Sequence, residues 1–79
     1  MQVKVKVFAY LRKYLSESAD REGKTVEVPG DATVLLLCSS LKIPLDLARL
    51  TLVNGEQVSH EKVLKQGDEI SIFPPLYGG

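Results

Sequence analysis

Val34, Leu37, Cys38 and Leu41 stand at i, i+3, i+4 and i+7, the apolar stripe of an amphipathic helix. Most other apolar runs alternate with polar residues at period two, the pattern of strands with one buried face. Val3, Val5 and Val7 alternate with Gln2, Lys4 and Lys6, and Thr25-Val26-Glu27-Val28 and Ile70-Ser71-Ile72-Phe73 repeat the pattern. Leu52-Val53-Asn54-Gly55-Glu56-Gln57-Val58 reads as a hairpin, because Asn-Gly supplies both positive φ angles of a type I′ turn. A helix with one apolar stripe cannot bury it alone, so these strands must form a sheet that receives it.

The punctuation agrees. Asp31 or Thr33 can cap the helix, since either side chain accepts a bond from an orphan N–H of the first turn. Leu35 and Leu36 widen the stripe, which suits either a partner contact or a broad buried face, and the buried face is the expectation. Lys42-Ile43-Pro44 ends the helix, because the residue before a proline is pushed out of the helical region. One further short turn is expected between Pro44 and Leu50. Phe8, Leu11, Tyr14 and Leu15 fall at helical spacing and predict a short helix after the first strand. The polar run from Ser16 to Gly23 reads as a loop. His60 to Leu64 is a connector anchored by Val63 and Leu64. The expected core is Val5, Val7, Val26, Val34, Leu37, Leu41, Leu52, Ile70 and Ile72. Strand, short helix, strand, main helix and further strands give an α+β chain, a mixed sheet packed on one main helix. This is the ubiquitin-like β-grasp arrangement.

Seventy-nine residues hold one domain, 1–79, with a flexible tail expected from 74 to 79. Ten Lys and Arg balance ten Asp and Glu, which removes the electrostatic basis for nucleic-acid or acidic-membrane binding. A single cysteine and a single histidine leave neither an internal disulfide nor a zinc constellation. No apolar run is long enough to span a bilayer, and the opening residues carry no signal-peptide core, so a cytoplasmic chain is expected. Cys38 lies on the helix stripe and reads as a packed small hydrophobe. His60, followed by Glu61 and Lys62, reads as part of a solvated turn. The carboxylates are scattered and read as solvated surface, and Gly67-Asp68-Glu69 reads as turn chemistry. No catalytic residue, bound cofactor or metal site is expected in the body.

What remains is Phe73-Pro74-Pro75-Leu76-Tyr77-Gly78-Gly79. At a glycine usage of about 7 %, two terminal glycines arise by chance in roughly one chain in 200, so the pair points to use rather than accident. Pro74 and Pro75 cannot donate ladder hydrogen bonds, so the sheet must stop there. Six residues from Pro74 reach roughly 20 Å when extended. Gly78 and Gly79 have no side chains to obstruct a narrow channel. A terminal carboxylate is a poor electrophile until ATP converts it to an acyl-adenylate, and sulfur attack on that adenylate gives a thiocarboxylate. The domain would then carry a reagent on a handle.

Two segments make the resemblance specific. Phe8-Ala9-Tyr10-Leu11-Arg12-Lys13-Tyr14-Leu15 and the stretch from Gly67-Asp68-Glu69 through Phe73-Pro74-Pro75 to Gly78-Gly79 resemble the MoaD/ThiS family of sulfur carriers. Within that family the chain is most similar to the small subunits of molybdopterin synthases. The resemblance implies a sulfur-donor subunit with no catalytic residues of its own. Gly79 would be adenylated and thiocarboxylated, Gly78 and Tyr77 would thread a partner's channel, and Phe73, Pro74, Pro75 and Leu76 would dock. The implied partners are an ATP-using adenylating enzyme of the ubiquitin-activating type, a persulfide sulfur donor and the large catalytic subunit. There the sulfur would form the dithiolene of a molybdenum or tungsten cofactor. A ubiquitin-like modifier joined through Gly79 and a thiamine-type carrier share the same activation chemistry and stay open as alternatives.

Overall fold

The computed structural model describes residues 1–8, 11 and 23–75. Five strands and one helix follow in the order β1 (Gln2–Val7), β2 (Lys24–Glu27), α1 (Val34–Ser40), β3 (Leu50–Val53), β4 (Glu56–Gln57) and β5 (Glu69–Phe73). The strands make one sheet in the order β2-β1-β5-β3-β4. β1 and β5 run parallel at its centre, and the other pairs are antiparallel. The sheet is therefore mixed, with the helix on one face, and the ubiquitin-like β-grasp is the fold.

Register decides which side chains meet. Val5 stands opposite Ile70 and Val7 opposite Ile72, while Thr51 pairs with Ile72 and Val53 with Ile70. Paired residues share a face, so these rows form the floor of the core. Val34, Leu37 and Cys38 of α1, with Leu11, Ile43, Ala48 and Leu64, pack over that floor, and Val3, Val28 and Ala32 are buried with them. Val26 and Leu41, expected inside, are half-buried and pack against its margin.

Leu52 is a correction. Period two in Leu50-Thr51-Leu52-Val53 permits either face to turn inward, and side-chain apolarity favours the leucines. The register with β5 turns Thr51 and Val53 inward instead, leaving Leu50 and Leu52 half-buried on the open face. The cost is visible at Thr51, whose Oγ1 is buried without a hydrogen-bond partner among the described residues.

The helix is also narrower than its stripe suggested. Leu35 and Leu36 are exposed, at 45 % and 42 %, because one sheet face receives only the Val34–Leu37–Cys38 side. Thr33 is the cap, with its Oγ1 accepting from the Leu36 N–H at 3.2 Å. The Val34 and Leu35 N–H groups donate to the carbonyls of Lys62 and His60 in the connector. The N–H groups of the first three helical residues, which have no partner within the helix, are thereby satisfied. The helix stops before Pro44. Lys42 takes φ 62, its N–H bonds to the Ser39 carbonyl, and the Ile43 N–H bonds to the Cys38 carbonyl. That is a Schellman ending with lysine in the position glycine usually fills.

In the connector only Leu64 is buried, whereas Val63 is 54 % exposed, since the Thr33–Val63 bridge turns its side chain away from the core. A single turn follows Pro44, as expected. The short helix expected over Phe8–Leu15 lies mostly outside the described residues. Of that segment Phe8 and Leu11 are seen, joined by a Leu11 N–H bond to the Phe8 carbonyl.

Candidate functional site: the root of the C-terminal segment

β5 is an inner strand held on both sides, so the point where it ends is fixed in space. β1 contributes the Phe8 N–H, which donates to the Ile72 carbonyl at 3.1 Å, and β3 places Leu50 opposite Phe73. Alternation puts Phe8 and Phe73 on the open face of the sheet. Their rings stack at a centroid distance of 4.2 Å and an interplanar angle of 7°. Leu50 and Leu52 lie in the adjoining strand. The result is an apolar corner on the face away from the helix, at the end of β5 from which the chain leaves.

Pro74 continues the parity of Ile70 and Ile72 and is buried, while Pro75 is half-buried. Of the residues expected to dock, the structure thus places Phe73 on the open face and Pro74 in the interior. Leu76, Tyr77, Gly78 and Gly79, most of the tail expected to be flexible, lie outside the described residues.

Phe8, Leu50 and Leu52 were not singled out as site residues from sequence. The signal was present at Phe8, which shares its strand parity with Gln2, Lys4 and Lys6. A phenylalanine on the solvent parity is the mark of a surface used for contact. Leu50 and Leu52 carried no such mark, because their facing depends on the pairing of β3 with β5.

The body presents little reactive chemistry. Cys38 is fully buried, and loss of hydration pushes its thiol up to about 11, so it stays protonated and inert near neutrality. His60 is more enclosed than the solvated turn predicted. Its Nε2 donates to the Ala48 carbonyl at 2.8 Å and ties the connector to the turn before β3. Asp68 is buried at 8 % exposure rather than solvated. Its carboxylate accepts from Asn54 Nδ2 at 2.9 Å and from the Lys65 N–H at 2.8 Å, while Asn54 Oδ1 accepts from the Glu69 N–H. This staples the hairpin tip to the start of β5, which fits the turn role read from Gly67-Asp68-Glu69. A cleft of about 200 Å³ beside the staple is lined by Val53, Asn54, Glu56, Val58, Lys62, Lys65 and Asp68. It lies at the opposite end of β5 from Phe73. Among the described residues no group of three His, Cys, Asp or Glu side chains is arranged to hold a metal ion. No helix among them is long and apolar enough to cross a membrane.

Solved structures share this architecture. The crystal structure of small archaeal modifier protein 1, SAMP1, from Haloferax volcanii is 28 % identical, covers all of both chains and superposes with a TM-score of 0.71. A candidate molybdopterin converting factor subunit 1 from Pyrococcus furiosus is 29 % identical over 95 % of this chain and 98 % of that one, with a TM-score of 0.68. Subunit 1 in a complex of subunits 1 and 2 of molybdopterin-converting factor from Helicobacter pylori, at 24 % identity, full coverage of both chains and a TM-score of 0.60, shares the fold. No curated protein sequence matches the chain. The ThiS family model matches residues 5–79, a span that takes in the central β1–β5 pair, the stacked phenylalanines and the closing glycines. The chain is thus a ThiS/MoaD-type sulfur carrier or ubiquitin-like small modifier, and it belongs to the ThiS family.

Proposed function

We propose that the chain is the sulfur-carrying small subunit of a molybdopterin synthase. The observation that carries the reading is the mount: a central strand ends at a stacked aromatic pair and two prolines, four residues before Gly79. Chemistry placed at the end of such a chain needs neither a pocket nor a catalytic residue in the body. An adenylating enzyme would convert the Gly79 carboxylate and ATP to the acyl-adenylate and pyrophosphate. Attack by a persulfide would release AMP and leave an acyl disulfide, from which a second thiol frees the thiocarboxylate. The large subunit would then receive the tail, with Gly78 and Tyr77 threading its channel, and sulfur would pass to the pterin substrate.

The apolar corner of Phe8, Phe73, Leu50 and Leu52 supports a docking role close to the tail. Central apolar anchors dominate the energetics of interfaces of this kind. Lys6, half-buried in β1 on the same face and two residues before Phe8, gives that corner a positive border. Likeness to the candidate molybdopterin converting factor subunit supports the synthase reading.

A second reading is favoured by the comparable likeness to SAMP1, a protein named as a modifier. In it Gly79 is joined to lysines of target proteins. The two readings diverge in their products. Intact mass after incubation with the activating enzyme, ATP and a sulfide source is expected to show one oxygen replaced by sulfur. An unchanged mass would remove the carrier reading. Isopeptide-linked ladders that survive reducing agents would establish the modifier reading in its place.

A further inference from the structure

We propose that Pro74 is the positioning residue of the tail, setting its working length at the four residues 76–79. The inference rests on the carrier reading above and deepens it. Pro74 lies beyond the last ladder pair, Leu50 opposite Phe73, yet it is buried. Pro75 after it is half-buried, and on the opposite face the Phe8–Phe73 stack pins the residue before it. The chain is therefore held to the body two residues past the point where its hydrogen bonds end. Pyrrolidine rings fix φ at both positions, which removes the two softest hinges a tail root could have.

A rigid root shortens the reach. Six residues would span roughly 20 Å, but four span at most about 14 Å when fully extended. A partner that engages the apolar corner must then hold its reactive centre within about 14 Å of Pro75, and on this proposal the tail spans close to that limit. A taut tail and a slack one respond differently to length. In a slack tether an extra residue changes closure entropy only slightly, because that cost grows with the logarithm of length. In a taut tail an extra residue displaces the carboxylate by roughly 3.5 Å. A misplacement of about 1 Å can already cost about a hundredfold in rate.

The experiment inserts one glycine between Pro75 and Leu76, leaving Gly78-Gly79 as the end of the chain, and makes Pro74→Gly separately. Each protein is assayed as substrate of the adenylating enzyme from the same organism by ATP-dependent pyrophosphate release, with the melting temperature taken alongside. The insertion is expected to lower kcat at least about tenfold while KM stays within about twofold, because the corner of Phe8, Phe73, Leu50 and Leu52 is untouched while residues 76–79 are pushed one residue further out. Pro74→Gly is expected to show the same split. Its melting temperature separates a loosened root from an unfolded body, and the insertion, which leaves the described residues intact, does not depend on that control. Insertion or Pro74→Gly protein turning over within about twofold of the parent kcat would overturn the taut-tail assignment. If the parent chain itself releases no pyrophosphate, it is the carrier reading that falls.

Discussion

At the scale of single residues, two positions carry measurable conflict between sequence and environment. Lys42 sits at φ 62, where a Cβ crowds the backbone and costs roughly 1–2 kcal/mol relative to glycine. Lys42→Gly is therefore expected to raise stability in urea by about 0.5–1 kcal/mol, after glycine's extra freedom in the unfolded chain is subtracted. A loss of stability would mean that the lysine side chain contributes more than the strain removes. Cys38 is the other. Burial raises its thiol from 9.0 to about 11, so the folded state holds its proton where the unfolded state releases it. The thiol's contribution is whole below pH 9.0 and is lost as pH rises towards about 11. Cys38→Ala is expected to flatten that part of the stability–pH curve, whatever it costs in packing. An unchanged alkaline slope would assign the decline to other groups.

At the scale of elements, what could be read from sequence was what is local. β1, β5, the Asn54-Gly55 turn and the cap at Thr33 are each written in a few adjacent residues, by parity, by positive φ or by a hydroxyl beside a helix start. What could not be read was anything settled across the sheet. Leu52 and Thr51 exchange faces through the register with β5, and Asp68 turns from a solvated carboxylate into a staple because Asn54 arrives from the hairpin. Leu36 shows the same limit: a leucine beside a stripe buries only if a second surface faces it, and none does among the described residues. The helix offers a paired test. Leu37→Ala, fully buried, is expected to cost about 2–5 kcal/mol, whereas Leu36→Ala should stay within about 0.5 kcal/mol. Equal losses would place Leu36 in a packed environment after all.

For the whole molecule, the body and the end of the chain are expected to fail independently. Replacing Gly79 with a bulky residue, or adding a residue after it, should abolish sulfur loading while leaving the melting temperature unchanged. An extended variant, verified by mass as unprocessed and still loaded with sulfur, would refute the terminal-glycine chemistry. The candidate site was half legible in this respect. The glycines and prolines announced a tail, but its footing on Phe8 required the parallel pairing of the first strand with the last. That pairing has a consequence in time. Phe8 and Phe73 stand 65 residues apart, so the stack beneath the tail cannot form until both strands are made and paired. Contacts between such distant segments are also the slow ones to close. A partner that grips this corner would therefore engage only copies in which the first and last strands have already paired.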